Sequence, residues 1–308
     1  MNMTELKAHA KINLLLKIKG VTGDGYHDLF MLMQEISLAD DIRIETGPSD
    51  TFEVSVPGGW AEDGSIIPSP IPEKEDLCYK AAMAFYEAFG PFEKNFSMKI
   101  YINKNIPSQA GLGGGSSDAA AILRFMREMT GMPSDLSDMI PVAAKVGADV
   151  PFFLYGGTRI CEGIGEIMTS VPSLSGLNLV IAKPLSGVPT GKCFAAADSS
   201  PVTYDDSFKE SVLDALGDVD SPRETLERLI SEGLLVNDLE APAREMVPGI
   251  GELISALRSE NAVFAAMSGS GSAVFGIFDT EEDAHRAYDS LSECERYKDH
   301  FFTVCTTV

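Results

Sequence analysis

Residues 110–121 read AGLGGGSSDAAA, in which four glycines and two serines are followed, after Asp118, by three alanines. The simplest interpretation is a tight turn, since glycine adopts positive φ angles without steric cost. Four glycines within five residues exceed what one turn needs, and the segment opens a predicted helix over 117–130. The candidate caps of this helix are Ser116, Ser117 and Asp118. Because a helix start exposes unpaired N–H groups and the positive end of the helix dipole, the pattern predicts a phosphate site.

The glycine-rich loop matches none of the common nucleotide-binding signatures. A Walker loop, GxxxxGK[ST], occurs nowhere in the chain. The dinucleotide fingerprint fails because, counted from Gly111, its third glycine is a serine, and because the preceding strand alternates polar and apolar residues. The protein-kinase HRD and DFG signatures are missing, as are GxSxG, HExxH and CxxC. These absences disfavour an oxidoreductase and leave a hydrolase without support.

The acidic composition narrows the range of partners. The 308 residues carry 46 acidic and 24 basic side chains, a formal net charge of −22. Such a surface repels phosphate backbones, so we expect no nucleic-acid partner, although a few lysines can dominate one cleft. The five widely spread cysteines predict reduced thiols in a cytoplasmic protein. No apolar stretch is long enough for a membrane span, and the N-terminal one is too short for a signal peptide.

Strand and helix patterns are mixed, without the regular alternation of a parallel sheet. Strand-like alternation or apolar runs cover 7–20, 41–45, 52–56, 97–103, 177–182, 262–267, 273–278 and 301–306. Helical spacing covers 76–89, 117–130, 141–146, 207–216, 222–232, 249–259 and 281–291. The proline-rich segment 57–73 is predicted to be a loop. We therefore predict an α+β fold in two lobes, residues 1–170 and 171–308.

Three motifs resemble, in order, those of the GHMP kinase superfamily, named for galactokinase, homoserine, mevalonate and phosphomevalonate kinases. AKINLLLKI (10–18) is similar to the first motif, and IPSQAGLGGGSSDAAAIL (106–123) to the second, which binds ATP. MSGSGSAVFGIF (267–278) is similar to the third. The resemblance implies a two-lobed GHMP kinase fold, with an N-terminal lobe like domain 2 of ribosomal protein S5 and a ferredoxin-like C-terminal lobe.

Within the superfamily, three further motifs resemble the 4-diphosphocytidyl-2-C-methyl-D-erythritol kinase family. They are DGYH (24–27), GADVPFF (147–153) and NDLE (237–240). The resemblance covers nearly the whole chain. It implies transfer of the γ-phosphoryl of ATP, with Mg²⁺, to the 2-hydroxyl of a cytidine diphosphate-linked sugar alcohol in the non-mevalonate isoprenoid pathway. We further expect a monomer or weak homodimer.

The resemblance assigns the catalytic roles to Lys11 and Asp149. Asp149, in GADVPFF, matches the family's general base, which removes the proton of the attacking hydroxyl or orients it. Lys11 matches the second catalytic residue, a cation that would keep Asp149 ionised and neutralise charge developing on the phosphate. We interpret Lys17 and Lys19, on the same segment, as solvated lysines of a strand edge.

The same resemblance implies two sets of binding residues. Those for ATP are Lys104, Pro107, Ser108, Gln109, Ala110, Gly111, Leu112, Gly113, Gly114, Gly115, Ser116 and Ser117. Those for the substrate are Asn13, Tyr26, His27, Phe194, Ser268, Gly269 and Gly271. His27 would read the cytosine edge and the aromatic rings would stack on the base. No protein ligand of Mg²⁺ is predicted, because this ion often keeps several waters.

Two other interpretations stay open. One is a GHMP kinase for another alcohol, such as mevalonate or homoserine, against which DGYH argues because those alcohols carry no cytosine. The other is a catalytically silent nucleotide-binding member, which loss of Lys11 or Asp149 would indicate; both residues are present. The chain departs from the family pattern at Ala148, where Ser is frequent, and at segment 57–72, which is longer than usual and of undetermined role.

Overall fold

The computed structural model describes residues 2–23, 25–199, 204–217 and 221–308. The chain divides into two compact units, each made of several segments. The first unit comprises Met1–Ala10, Leu38–Ile106 and Gly113–Tyr155. The second comprises Lys11–Ser37, Pro107–Leu112 and Gly156–Val308. These units interleave along the chain, and the division into lobes at residue 170 stays a prediction.

Two long strands contribute residues to both units. They are β1 (Asn2–Val21) and β2 (His27–Pro48), which pair with each other. β1 begins earlier than the predicted strand 7–20, and β2 contains the predicted strand 41–45 but begins much earlier, at His27. Side chains along the middle of β1 are buried without a break, which is the pattern of a strand covered on both faces.

The first unit combines the second half of β2 with further strands and helices. Its further elements are β3 (Glu53–Trp60), β4 (Ile66–Pro68), α1 (Leu77–Phe89), β5 (Phe96–Asn103), α2 (Gly114–Thr130), α3 (Ile140–Val146) and α4 (Val150–Tyr155). β5 pairs antiparallel with residues 41–48 of β2 and parallel with β3, and β3 pairs with β4. The prediction of a loop over 57–73 is therefore wrong in part, because a short edge strand tolerates proline.

The second unit contains a four-stranded antiparallel sheet formed by its last four strands. The further elements of this unit are β6 (Thr158–Gly163), β7 (Ile167–Ser170), β8 (Asn178–Lys183), α5 (Thr190–Ala197), α6 (Asp206–Leu216), α7 (Pro222–Ser231), α8 (Glu240–Met246), α9 (Gly249–Ser259), β9 (Phe264–Met267), β10 (Val274–Phe278), α10 (Glu281–Ser292) and β11 (Phe301–Thr306). The strand order is β11-β8-β10-β9, with α9 before β9 and α10 after β10. This is the βαββαβ arrangement of a ferredoxin-like lobe.

Each unit buries its own aromatic core, with Phe85 and Phe152 in the first and Phe30, Phe275 and Phe278 in the second. None of the five cysteines is in a disulfide; four are buried and Cys294 is half-buried. Within the described ranges, no helix is both long and apolar enough to cross a bilayer. The sequence patterns missed α4, α5, α8, β6 and β7, whose short apolar runs carry no distinct period.

Candidate active site

Lys11 and Asn13 lie on one face of β1 in the second unit, because side chains two apart on a strand point to the same side. Both are almost fully buried, with 3% and 2% of their surface exposed. The Lys11 ammonium donates a hydrogen bond to Asn13 Oδ1. The Asn13 backbone N–H donates to Ser268 Oγ at 3.2 Å. The two predicted residues of the first motif therefore contact each other and the third motif.

The first half of the glycine-rich loop is hydrogen-bonded to the same part of the second unit, next to Lys11 and Ser268. Ser268 Oγ donates to the carbonyl of Gly111 at 2.9 Å. The Lys11 N–H donates to the carbonyl of Leu112 at 3.0 Å, and the Ala273 N–H to the carbonyl of Ala110 at 3.0 Å. Three motifs that are far apart in sequence thus meet within one unit. Of the neighbouring loop residues, Pro107 is half-buried, while Ser108 and Gln109 are exposed.

Two glycines in this cluster stand where an added Cβ would clash or lie unusually close to its neighbours, on a left-handed backbone. Gly111 has φ +74°, and a Cβ there would lie 2.1 Å from the carbonyl oxygen of Ser268. Gly269 has φ +55°, and a Cβ there would lie 3.1 Å from Asn13 Oδ1 and 3.2 Å from Lys11 Nζ. Gly271 also has a positive φ, of +81°. The left-handed backbone and the close approach both require glycine.

Asn237 is a residue whose role the sequence did not reveal. Its Nδ2 donates to the carbonyls of Met267 at 2.9 Å and Gly269 at 2.8 Å. Its Oδ1 accepts from the N–H of Leu239 at 3.0 Å. One amide therefore fixes both sides of the third motif. The NDLE motif marked the position, but only as part of the family resemblance.

The interpretation of Lys17 as a solvated lysine is wrong. Lys17 is buried, and its Nζ lies 2.9 Å from Asp238 Oδ1. Asp238 Oδ2 also accepts from the N–H of Ile18 at 2.9 Å. Lys19 is partly exposed and lies 3.3 Å from Asp28 and 3.5 Å from Glu162. Lys17 thus links β1 to the segment before α8, a partner that no local pattern could indicate.

The residues predicted to bind the base lie together in the second unit. The rings of His27 and Phe194 have centroids 4.5 Å apart at an interplanar angle of 31°. His27 Nε2 lies 2.7 Å from Asp198 Oδ1. Tyr26 is 60% exposed, so its ring is available to a ligand. Asp24, the first residue of DGYH, lies outside the described residues.

In the first unit, α2 begins among the glycines. Its N-cap is Gly113, with φ +73° and no side-chain cap. The prediction that Ser116, Ser117 or Asp118 caps the helix is therefore wrong, because the left-handed turn falls three residues earlier, where glycine suits it. The first-turn N–H groups belong to Gly114, Gly115 and Ser116 and have no intrahelical acceptor by helix geometry. Together with the helix dipole they can bind an anion.

Ser117 and Asp149 occupy distinct positions in the first unit. The Ser117 hydroxyl donates to the carbonyl of His9 at 2.6 Å, and its N–H donates to the carbonyl of Gly113 at 2.8 Å. Both Ser117 donors are therefore used within the unit. Asp149 is half-buried and directly precedes α4. A Cβ at Gly147 would lie 3.7 Å from Ser116 Oγ, so the GADV turn packs near the start of α2.

Lys104 bridges two buried carboxylates in the first unit. Its Nζ lies 2.6 Å from Asp118 Oδ2 and also contacts Asp40 Oδ2. Asp40 Oδ1 accepts from the N–H groups of Asn105 at 2.6 Å and Ile106 at 2.8 Å. Lys104 and Asp40 thus connect the end of β5 to α2. The Lys104 side chain is 44% exposed, whereas Asp40 is fully buried.

Burial and the neighbouring charges shift the pKa of both Asp118 and Lys104. Burial raises the pKa of Asp118 to about 8, with Asp40 adding to the rise and Lys104 opposing it. Burial lowers the pKa of Lys104, but the charges of Asp118 and Asp40 outweigh this effect and raise it. Asp118 Oδ1 is buried without a hydrogen-bond partner among the described residues. A proton on Asp118 relieves part of this cost, since a neutral carboxyl is easier to bury.

No metal-binding cluster of three His, Cys, Asp or Glu side chains occurs in the described part of the chain. Lys11 belongs to the second unit and Asp149 to the first. Their joint action on one hydroxyl stays a prediction, as do the individual ATP and substrate contacts.

Comparison with known proteins gives the family. Residues 76–157 match the family described as GHMP kinases N terminal domain, and residues 213–296 match GHMP kinases C terminal. A protein named 4-diphosphocytidyl-2-C-methyl-D-erythritol kinase from Caldicellulosiruptor saccharolyticus is 39% identical over 286 residues, or 93% of this chain and 92% of the relative.

Solved structures agree. A crystal structure of 4-(cytidine 5'-diphospho)-2C-methyl-D-erythritol kinase superimposes with a TM-score of 0.73 and 30% identity, covering 99% of each chain. A homoserine kinase from Cytophaga hutchinsonii superimposes with a TM-score of 0.72, covering 100% of this chain and 95% of the other. Its identity is 16%, so that likeness shows the GHMP kinase fold alone.

Proposed function

The chain belongs to the GHMP kinases and, within them, to the 4-diphosphocytidyl-2-C-methyl-D-erythritol kinase family, and from this premise we propose its reaction. It transfers the γ-phosphoryl of ATP to the 2-hydroxyl of 4-diphosphocytidyl-2-C-methyl-D-erythritol. This step belongs to the non-mevalonate route to isoprenoid precursors. The relatives of that name support the substrate, since they align along nearly the whole chain.

One observation carries the proposal beyond family membership. In the second unit, the buried pair Lys11 and Asn13 contacts both the glycine-rich loop and the third motif. A buried lysine is costly unless it serves a charge, and here it lies beside backbone that accommodates only glycine. That arrangement suits a phosphate-transfer site, where a cation and closely approaching backbone act on one anion.

The start of α2 supplies the phosphate-binding groups in this proposal. The N–H groups of Gly114, Gly115 and Ser116 point out of the helix end and favour negative charge. The glycines leave the backbone open to close approach by phosphate oxygens. Because Ser117 uses its hydroxyl and its N–H inside the protein, Ser116 is the serine available to a phosphate.

Lys11 and Asp149 carry the chemistry. Lys11 stabilises the negative charge that develops on the transferred phosphoryl group. Asp149 accepts the proton of the 2-hydroxyl as the oxygen attacks phosphorus. Asn13 keeps the ammonium of Lys11 in one orientation through its Oδ1.

Magnesium enters this reaction as the Mg–ATP complex. Mg²⁺ takes most of its ligands from phosphates and water and needs few from the protein, which fits a chain without an acidic cluster in its described part. When bound, the ion neutralises phosphate charge. The Ser116 hydroxyl is the protein group we would assign to the phosphates or to this ion.

Tyr26, His27 and Phe194 bind the cytosine. The rings of His27 and Phe194 are already in contact, and Tyr26 is exposed beside them in the chain. We also propose a cytoplasmic enzyme that is a monomer or weak homodimer. The five thiols and the strongly acidic composition support this view.

Competing alcohols test the proposed function. ATP consumption is measured with 4-diphosphocytidyl-2-C-methyl-D-erythritol, mevalonate and homoserine in turn. We expect turnover with the first alone. Comparable turnover with either of the others would replace the proposed substrate, and binding of ATP without any turnover would favour the silent member.

Replacement of Asp149 by Asn tests the base. We expect kcat to fall by about 10³-fold with little change in substrate binding, the size typical of general base catalysis. Asp138→Asn, an exposed aspartate of the same unit, is the matched control and should keep wild-type kcat. Near-normal kcat in Asp149→Asn would refute the base assignment.

A further inference from the structure

One end of α5 presents two different groups to the His27 ring. Phe194 stacks on the imidazole, and Asp198, one helical turn later, accepts a hydrogen bond from Nε2 at 2.7 Å. The Asp198 N–H donates to the carbonyl of Phe194 at 3.0 Å, so the two residues are fixed relative to each other. The ring is therefore constrained in its plane by Phe194 and in its rotation by Asp198.

The turn before His27 is fixed as well. Thr22 donates to the carbonyl of Tyr26 twice, from its N–H at 2.7 Å and from its hydroxyl at 2.8 Å. The N–H of Gly25 donates to the carbonyl of Thr22 at 2.9 Å. His27 begins β2 directly after these contacts, and its imidazole is held by Phe194 and Asp198.

The Asp198 contact decides which ring nitrogen carries the proton. An ionised carboxylate only accepts hydrogen bonds, so Nε2 is the protonated nitrogen. In the neutral imidazole the other nitrogen, Nδ1, then has a lone pair and only accepts. This is the logic by which a carboxylate fixes the tautomer of a catalytic or metal-binding histidine.

A single acceptor distinguishes the two pyrimidines at position 4. Cytosine has an amino group there, which donates, whereas a uracil-type base has a carbonyl oxygen, which accepts. A histidine whose free nitrogen accepts binds the first and leaves two facing acceptors with the second. A site with such an unpaired polar group rejects the wrong ligand strongly.

We propose that Asp198 is a specificity-determining residue that acts through His27, holding the imidazole in the tautomer that accepts from the cytosine amino group and rejects uracil. The inference rests on the proposed function, because it takes a cytidine diphosphate-linked alcohol as the substrate. Asp198 is a positioning residue and need not touch the base.

The place of Asp198 argues against a role in stabilising its helix. It follows the last residue of α5, where the negative end of the helix dipole disfavours a carboxylate. It is also 47% exposed, and exposed ion pairs contribute little to stability. The contact with His27 is what gives an acidic residue a use at this position.

The test compares the cytidine diphosphate-linked alcohol with its uridine diphosphate analogue. For Asp198→Ala, we expect the ratio of the two kcat/KM values to fall by about tenfold, the discrimination typical of one base-edge hydrogen bond. The loss should appear mainly in KM for the cytidine substrate, with kcat at saturation nearly unchanged. Asp214→Ala, an exposed aspartate on α6, is the matched control and should keep the wild-type ratio.

A second variant shows whether Asp198 acts through His27. In a His27→Gln background, Asp198→Ala should leave the ratio where His27→Gln alone puts it. The ¹⁵N shifts of the His27 ring give a readout without substrate: Nε2–H in the wild-type chain and a mixture of tautomers in Asp198→Ala.

Each outcome decides the matter. An unchanged ratio in Asp198→Ala, an equal fall in the His27→Gln background, or an unchanged ring spectrum would overturn the inference while the proposed function stands. A wild-type chain that leaves the cytidine diphosphate-linked alcohol unphosphorylated would overturn both.

Discussion

The two halves of the glycine-rich loop are held by different kinds of interaction. In the second unit, residues 107–112 are fixed by uncharged contacts, from Ser268, Ala273 and the backbone of Lys11. In the first unit, the strand end before the loop and the helix after it are joined by charges, from Asp40, Lys104 and Asp118. One half depends on shape and the other on charge balance.

This difference predicts which changes each half tolerates. Close backbone contact leaves no room for a Cβ but involves no group that titrates. The lysine between two buried carboxylates is partly exposed, so a change of size is tolerated there. Its contribution to stability depends on each charge and on pH. The changes below separate the two, in order of decreasing effect.

Gly111→Ala should have the largest effect. The new Cβ meets the carbonyl of Ser268 at 2.1 Å and forces a left-handed backbone on alanine. We expect a loss of about 3 kcal/mol or more in the free energy of unfolding, together with loss of ATP turnover. Gly131→Ala is the matched control, since Gly131 has φ +71° with nothing within 4 Å of the added carbon.

For the control, left-handed strain alone predicts about 1 kcal/mol. Urea unfolding followed by circular dichroism measures both variants. Equal losses of stability in the two variants would mean that backbone strain, and not contact with Ser268, makes glycine necessary at position 111.

Lys104→Met should have an intermediate effect. It leaves Asp40 and Asp118 facing each other without a cation, and we expect a loss of about 2 kcal/mol, less than for a fully buried ion because the lysine is half-exposed. Adding Asp118→Asn should restore part of this stability, because an amide beside Asp40 cannot ionise. Lys7→Met, which breaks a surface pair with Asp41, should cost less than about 0.5 kcal/mol.

Urea unfolding of the single and double variants tests whether charge at Lys104 stabilises the first unit. A loss in Lys104→Met that Asp118→Asn does not reduce would show that the lysine stabilises the unit by packing alone.

Per pH unit, the pH dependence of stability should show the smallest effect. The pKa of Asp118 is raised to about 8 from a reference value of 3.8. The folded chain therefore keeps a proton that the unfolded chain releases, so the stabilisation is complete below pH 3.8 and is lost as the pH rises through about 8. We expect wild-type stability to fall relative to Asp118→Asn by about 1.4 kcal/mol per pH unit at most.

Unfolding at pH 5, 6.5 and 8 measures this slope, and Gly131→Ala serves as a reference that keeps Asp118. Parallel curves for wild type and Asp118→Asn would show that Asp118 is ionised throughout.

The sequence predicted features whose cause is local. The period of apolar residues gave α1, α9, β5 and β11 to within a few residues, and glycine clustering gave the loop. Comparison with known families confirmed the fold and the reaction class. The predicted start of α2, at Ser117, was three residues too late, because a glycine N-cap has no side chain to mark it.

Features that depend on distant partners were not predictable. Asp40 pairs with a lysine 64 residues away, and His27 with an aspartate 171 residues away. Lys17 looked solvated because its partner, Asp238, comes from a separate segment. Each of these polar groups is explained by a contact that no window of neighbouring residues contains.

The interleaving of β1 and β2 bears on how this enzyme can be divided. Residues 11–37 and 107–112 belong with the C-terminal half of the chain, and both precede any cut at residue 170. A fragment expressed from residue 171 onward would lack Lys11 and Asn13. It would also lack Leu16 and Ile36, whose backbones bridge to Asn237 and Thr307. Truncation should therefore yield insoluble halves, and only fragment complementation or co-expression would recover a working protein.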